Sequence, residues 1–324
     1  MKGIAIFLVV SGHICSNKDY FNFVYAFHMA IFFIVSGILF KCKDNIKYIK
    51  HKFLTIMVPY YSFGILTLLY WQLLERKFRF SQLSFAKALY SLLTGELRSM
   101  DFNIHLWFLP CFFLISILYN FLYSKLGNKK TWSICSVMTL LYIFYIHNFI
   151  DKVNFPFQIY GFDRMFKFIG FYCFGNILNE YGIRTKDAKK VSLFISLISL
   201  IVVYLFSKYY TQNQLLWVIS GGIGTLAIMT ISIFIGKLDN IISKVIEKVG
   251  EVSLIILCTH GPIYRIVLKL ISTLVRLSTS TLRASLIISC AISVMTIFLC
   301  FIIYQIVYHI APWMIGLKRE HKGA

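Results

Sequence analysis

The sequence contains few charged residues. Asp, Glu, Lys and Arg together make up only 14% of its 324 residues, against roughly 25% in an average soluble domain. Acidic residues are the scarcest, with 13 Asp and Glu against 33 Lys and Arg, while 58% of all residues are apolar. A soluble chain of this length could bury a large core, but it could not hide this much apolar surface. The composition therefore excludes an ordinary soluble protein and points to the bilayer as solvent.

The basic excess gives a formal net charge of +20. In a soluble protein such a charge would suggest nucleic-acid binding, but here the basic residues form short clusters between apolar runs. That pattern is typical of topology signals and of contact with anionic lipid, so we expect membrane lipid and no nucleic acid as a partner. The eight cysteines lie mostly inside apolar stretches and form no CxxC pair, which indicates small buried side chains. We expect no metal centre.

Long apolar runs predict an all-α, polytopic transmembrane helix bundle. The first run has no small-residue cleavage site after it, so we expect it to remain as a helix rather than to be removed as a signal peptide. No repeat or soluble segment interrupts the pattern, and residues 1–324 are expected to form a single transmembrane domain. The predicted helices, about ten in number, cover residues 3–17, 23–40, 54–74, 105–124, 131–149, 163–180, 191–209, 214–236, 252–273 and 284–310.

The distribution of Lys and Arg predicts the orientation of the bundle. If the N-terminus is cytoplasmic, most basic residues in the short loops fall on the cytoplasmic side, as the positive-inside rule requires. Both termini are therefore predicted to be cytoplasmic. The segment 75–104 is the exception, because it is basic yet placed outside. It is also long, and long loops follow the rule less strictly.

Six ionisable residues interrupt or open the apolar runs. Each costs roughly 2.5–3.5 kcal/mol on insertion scales, so each needs a reason to be there. The predicted orientation places all of them except His260 near the outer half of the bundle, which favours a functional cluster. The six are His13, His28, His105, Arg164, His260 and Arg265.

Other interpretations of these residues stay open. His28 and His105 stand at predicted helix ends, where a histidine can lie at the level of the lipid headgroups. His260 precedes Gly261-Pro262 and could mark only a helix kink. Arg265 could extend its side chain to the membrane surface. For His13 these interpretations are weaker, because Ser11, Gly12 and His13 together interrupt a strongly apolar helix.

Several short motifs resemble those of a known family. Lys2 and His13 are separated by ten residues, and Phe27-His28-Met29 and Phe32-Phe33-Ile34-Val35-Ser36-Gly37 follow. This opening resembles that of the acyltransferase 3 family of integral membrane acyltransferases, whose hallmark is Arg or Lys, ten residues, then His. The fucose 4-O-acetylase-like branch is the most similar. Supporting matches extend to about residue 265 and comprise Lys50 and Lys52 before Pro59, His105-Leu106-Trp107-Phe108-Leu109, and Ser253-Leu254 to His260.

The resemblance implies transfer of an acetyl group from acetyl-CoA to a hydroxyl of a cell-envelope or surface polysaccharide, or of its lipid-linked precursor. It also implies a multi-pass protein of the bacterial plasma membrane. A hydroxyl is a poor nucleophile and needs a base; His13 is expected in that role, or as the site of an acyl-histidine intermediate. His28 would orient the acceptor or relay the proton, and Lys2 completes the expected catalytic set. The residues expected to bind substrate are His105, Arg164, His260 and Arg265, and those expected to bind the phosphates of acetyl-CoA are Lys50 and Lys52.

Two other functions remain as alternatives. A lipid-linked glycan flippase would also need buried cations for an anionic substrate. An oligosaccharide polymerase would use a large outer loop that bears arginines, and the segment 75–104 carries Arg76, Arg79 and Arg98. Neither alternative accounts for Lys2 and His13 at the spacing of the acyltransferase motif.

Overall fold

The computed structural model describes residues 1–79, 81–96, 100–146, 159–182, 193–209 and 213–317. These ranges are helical and contain no β-strand, as predicted for an all-α protein. In chain order the α-helices are α1 (Lys2–Ile14), α2 (Lys18–Tyr25), α3 (His28–Ile38), α4 (Asn45–Lys52), α5 (Val58–Leu73), α6 (Phe85–Thr94), α7 (Phe108–Leu141), α8 (Phe162–Glu180), α9 (Leu193–Ser207), α10 (Gln214–Gly236), α11 (Ile241–Glu251), α12 (Ser253–Val275), α13 (Thr279–Ala284) and α14 (Leu286–Ile310).

Each of the ten predicted apolar runs coincides largely with helix where it is described. The tenth run, 284–310, is interrupted at Ser285, which is extended (φ −82°, ψ 122°), and the first two runs differ as well. The first helix ends at Ile14, because Cys15 is extended (φ −70°, ψ 130°). The second run is divided into α2 and α3, since the φ of Phe27 is −147°, outside the helical range. Parts of the predicted helices 131–149 and 191–209 lie outside the described residues.

The helices have the length and surface of a membrane protein. Ile104–Ile146 spans 43 residues, about 65 Å of helix, or twice the thickness of the hydrocarbon layer. It is interrupted at Gly127 (φ 74°, ψ 179°), between the two helices predicted there. Within the described ranges, six helical stretches are long and apolar enough to cross a membrane: Lys18–Ile38, Asn45–Lys77, Ile104–Ile146, Gln214–Gly236, Ser253–Val275 and Leu286–Ile310.

Large apolar side chains also cover the outside of the bundle, as in Leu274 (81% exposed) and Ile287 (83% exposed). Such a surface is stable only against lipid tails. The protein is therefore a multi-pass membrane protein. The count of about ten crossings, the cytoplasmic termini and the single domain stay predictions.

Close helix packing fixes the centre of the bundle. α3 lies against α8, where a β-carbon on Gly37 would collide with the carbonyl oxygen of Tyr172 and one on Gly175 with that of Ile34. Glycines at such crossings let two backbones approach closely, which is how membrane helices associate without a hydrophobic driving force. α1 packs against α3, α12 and α14. The helices that carry His13, His28 and His260 are therefore neighbours.

Candidate active site

Four of the predicted histidines converge in the interior of the bundle. His13 lies in the last turn of α1, His28 begins α3, His105 lies in the 3-10 turn Ile104–Trp107 that precedes α7, and His260 lies within α12. The ring centres of His13 and His105 are 4.0 Å apart, those of His105 and His260 are 4.3 Å apart, and those of His13 and His28 are 6.4 Å apart. The predicted orientation had grouped His260 apart from the others, and the structure places it among them.

Backbone carbonyl groups fix two of these rings. His28 donates from Nδ1 to the carbonyl oxygen of Val24 (2.8 Å), and His260 donates from Nδ1 to that of Ile256 (2.8 Å). A carbonyl can only accept, so Nδ1 carries the proton in both residues. In each neutral ring Nε2 therefore presents a lone pair. Both side chains are buried, His260 completely, so neither lies at headgroup level.

His13 is held by a tyrosine that the sequence motifs had not indicated. Its Nδ1 lies 2.6 Å from the hydroxyl oxygen of Tyr25. When Nδ1 carries the proton and donates to Tyr25, Nε2 of His13 is the basic nitrogen. Arg283 donates from Nε to the carbonyl oxygen of Ile14 (2.8 Å) and from Nη2 to that of His13 (3.3 Å), and it thereby caps the C-terminus of α1. The feature of the sequence that could have pointed to Tyr25 is its position three residues before His28.

The ring of His105 sits against a glycine. A β-carbon on Gly261 would lie 2.7 Å from Cδ2 of His105 and 3.0 Å from Oδ1 of Asn103. Asn103 donates from Nδ2 to the carbonyl oxygen of Cys258 (2.8 Å), which ties this turn to α12. α12 continues through Pro262 as a single helix. Gly261 therefore leaves the space that the imidazole of His105 occupies. Because α12 is not interrupted at Pro262, His260 does not simply mark a break in the helix.

Three buried polar atoms in this cluster have no hydrogen-bond partner among the described residues: Nε2 of His105, Nε2 of His260 and Oδ1 of Asn103. Buried polar groups in native proteins are nearly always paired. Three such atoms in one place indicate a site that a substrate group or water completes.

A cavity of about 550 Å³ opens beside the cluster. His13 and His105 face it, whereas His28 and His260 do not line it. Lys18 and Arg283 bring positive charge to its wall. The full lining comprises Gly12, His13, Cys15, Ser16, Lys18, Phe21, Tyr25, Ile104, His105, Trp107, Tyr264 and Arg283.

The same cluster has the ligand types of a metal site. One ring nitrogen from each of His13, His105 and His260 lies within 4.8 Å of the others. Three neutral imidazoles form a known zinc ligand set, so these residues could hold such an ion after a small contraction. An ion there would occupy nitrogens that otherwise handle protons.

The two predicted arginines lie near the cluster and have partners. The guanidinium carbon of Arg164 lies 4.5 Å from the ring centre of Trp107, which lines the cavity, and its Nε lies 3.9 Å from Asp163. Nε of Arg265 lies 2.6 Å from Oε1 of Glu75. Glu75 is buried and was not predicted as a site residue. Arg265 thus has an internal carboxylate and does not simply extend to the membrane surface.

The predicted donor-binding lysines occupy different environments. The ammonium group of Lys52 lies 5.4 Å from the ring centres of both Tyr48 and Phe112. Such cation–π contacts hold a lysine against the protein rather than in water. Lys50 is exposed on the same helix. Lys52 is therefore the better placed of the two to guide a ligand into the bundle.

Lys2 lies on the side of Lys52 and not beside the histidines. Lys2 and Lys43 lie close enough to Lys52 for their charges to repel it. Lys2 begins α1 and His13 lies in its last turn, so the helix separates them by about 16 Å. The structure brings together four of the predicted site histidines and places Lys2 in a separate cationic cluster.

A row of aromatic rings connects the two regions. Phe112, in contact with Lys52, stacks on Phe108 with ring centres 5.3 Å apart. Phe108 in turn meets Trp107 edge-on, with ring centres 6.2 Å apart, and Trp107 lines the histidine cavity.

Comparison with known families gives one result. The family model described as an acyltransferase domain, that of acyltransferase 3, matches residues 1–305. No curated protein and no solved structure matches the chain.

Proposed function

The chain belongs to the acyltransferase 3 family, and from that premise we propose that it transfers an acetyl group from acetyl-CoA to a hydroxyl of a cell-envelope glycan. The membership confirms the resemblance of the opening motifs and makes the chain a membrane acyltransferase. The acetyl group, the glycan, the fucose 4-O-acetylase-like branch and the plasma membrane of a bacterium belong to the proposal. The observation that carries it is the convergence of four histidines beside a cavity, with a lysine cluster at the other end of α1.

His13 acts as the general base in this proposal. Its Nε2 accepts the proton of the glycan hydroxyl while the hydroxyl oxygen attacks the carbonyl carbon of the thioester. The carbon–sulfur bond then breaks, and the thiolate of CoA leaves and takes up the proton from His13. Tyr25 holds the ring of His13 through the 2.6 Å contact at Nδ1, so that Nε2 points to the reaction. His28 lies behind Tyr25, with ring centres 4.6 Å apart, and supports its position.

His105 supplies the second function, stabilisation of the oxyanion. It lies on the cavity wall, and its Nε2 has no partner among the described residues. With the proton on Nε2 it can donate a hydrogen bond to the negative oxygen of the tetrahedral intermediate. Preorganised donors of this kind contribute about 3–4 kcal/mol to the stabilisation of a transition state. His260 and Asn103 pack against His105 and fix its position.

The lysine cluster serves the donor in this proposal. Lys2, Lys43 and Lys52 would meet the phosphates of acetyl-CoA as point charges, and so would Lys50, which is exposed on the same helix as Lys52. The pantetheine arm would then follow Phe112 and Phe108 toward Trp107, which brings the thioester from the lysine cluster to the histidine cavity. Donor and acceptor would therefore enter the protein from opposite sides of the membrane.

Family membership favours this proposal over a flippase or a polymerase. The distinguishing experiment replaces His13 with Ala in the producing cell. We expect surface glycan chains of unchanged length that lack the acetyl signal in proton NMR. His309→Ala is the matched control, because His309 is exposed at the end of α14; it should leave the acetyl signal intact. Lost or shortened chains in the His13→Ala strain would instead support the flippase or polymerase.

The crossing of the membrane has its own test. Sealed vesicles of known orientation receive labelled acetyl-CoA on the side of the lysine cluster. We expect label on glycan at the opposite side. Label confined to acceptors on the donor's own side would contradict the transmembrane route while leaving the acetyl transfer intact.

A further inference from the structure

A second cavity adjoins the first. Its volume is about 710 Å³, and Tyr264 and Arg283 line both cavities. The remaining lining comes mainly from the segment that follows α5 and from the exposed side of α12. It includes Glu75, Phe78, Arg79, Arg265, Ile266, Lys269 and Leu270.

The lining of the second cavity carries excess positive charge. Arg79, Arg265, Lys269 and Arg283 contribute cations, and among the described lining residues the single carboxylate is that of Glu75. Glu75 contacts both Arg265 (2.6 Å) and Arg79 (3.5 Å), so it offsets only part of this charge. Guanidinium groups bind phosphate oxygens through paired N–H donors. The excess is therefore suited to an anion with more than one negative charge.

α12 also brings an apolar row to the same cavity. Arg265 and Lys269 are four residues apart and form a basic row on the helix, and Ile266 and Leu270 form an apolar row beside it. Ile266 is 40% exposed and Leu270 is 57% exposed, and Phe78, across the cavity, is 79% exposed. A water-soluble anion would gain nothing from these side chains. A ligand with a phosphate head and a hydrocarbon tail would contact both rows.

We propose that this cavity binds the diphosphate and the first tail carbons of a polyprenyl-diphosphate-linked glycan, the acceptor of the acyl group. The diphosphate lies among Arg79, Arg265 and Lys269, and the tail runs over Ile266 and Leu270 into the membrane. The sugar then extends past Tyr264 into the cavity of His13. This inference rests on the proposed function and names the form in which its acceptor arrives.

The test measures binding without any acyl donor. Purified protein in detergent is titrated with a polyprenyl diphosphate that lacks a sugar, with phosphatidylglycerol and with inorganic diphosphate, and the complexes are counted by native mass spectrometry. We expect polyprenyl diphosphate to bind at least about tenfold more tightly than either of the others. The Arg79→Gln/Lys269→Gln double variant should lose at least about tenfold of that affinity. Both side chains are exposed, so the variant should fold.

Lys208→Gln is the matched control, because Lys208 is an exposed lysine that contacts Tyr204 on α9 and should not affect binding. Unchanged affinity in the double variant would overturn the proposal. Equal or tighter binding of phosphatidylglycerol would indicate a general site for anionic lipid. Equal binding of inorganic diphosphate would exclude a role for the hydrocarbon tail. Either result would also overturn the proposal. His13→Ala should bind the lipid normally, so failure of acetyl transfer and failure of lipid binding are distinguishable.

Discussion

Gly261 lies directly against His105, and a β-carbon at position 261 would come within 2.7 Å of Cδ2 of that imidazole. Gly261→Ala must therefore displace the ring by several tenths of an ångström. A misplacement of about 1 Å can reduce catalysis about 100-fold, and we expect a loss of that order in acetyl transfer. Alanine favours helix over glycine by about 1 kcal/mol, so the variant should still fold.

Gly222→Ala is the control for this substitution, because Gly222 lies within α10 and nothing stands within 4 Å of its added β-carbon. Its activity should equal that of the wild type. Full activity in Gly261→Ala would show that the position of His105 does not matter to the reaction.

Zinc should inhibit the enzyme. The nitrogens of His13, His105 and His260 that lie within 4.8 Å of one another can chelate the ion, and chelation removes the lone pair that His13 needs as a base. We expect inhibition that EDTA reverses, and a visible absorption band when Co²⁺ is added to the purified protein. His260→Gln removes one ligand and should weaken the Co²⁺ band at least about tenfold at a given concentration. An unaltered band would place the ion elsewhere.

Lys52→Gln should raise the KM for acetyl-CoA about tenfold, because it removes the cation held between Tyr48 and Phe112 at the start of the aromatic row. kcat should change little, since Lys52 is far from the reacting atoms. Lys50→Gln should raise the KM for acetyl-CoA by a smaller factor, because Lys50 is exposed. Lys47→Gln, also exposed on α4, is the control. Steady-state kinetics of the wild type and of these three variants test the donor site. Equal KM values in all four proteins would contradict it.

Glu75→Gln should destabilise the fold. It leaves Arg265 without its 2.6 Å counter-ion in a largely buried site, and breaking a buried ion pair costs about 3–5 kcal/mol. Arg79→Gln removes the other cation near Glu75, but that side chain is 44% exposed and exposed pairs contribute less than about 1 kcal/mol. Thermal unfolding in detergent should show a midpoint several degrees lower for Glu75→Gln alone. Equal midpoints would mean that the pair contributes little.

The sequence predicted the helices well where apolar runs are long. It missed α4, α6, α11 and α13, because these helices have only 6 to 11 residues and half-polar surfaces, and a search for membrane-length runs cannot find them. The division of the second run at Phe27 was missed as well, since a single non-helical φ leaves no hydropathy signal.

The site could be predicted only in part. His13, His28, His105 and His260 were identified because histidine is rare and costly within apolar helices. The partner of Arg265 could not be identified, since Glu75 lies 190 positions away from it and stands in a segment that was predicted as a basic loop. Lys2 was predicted in the catalytic set from its motif, yet the length of α1 places it far from the histidines.

The histidines come from widely separated parts of the chain, and this has a consequence for biosynthesis. The ribosome makes the chain from its N-terminus, so N-terminal parts can fold first. His13, His28 and His105 are synthesised early, whereas His260 follows only after α11 is complete. A nascent or prematurely terminated chain that ends at α11 therefore lacks His260 and the support that it gives to His105, and we expect such a chain to be inactive.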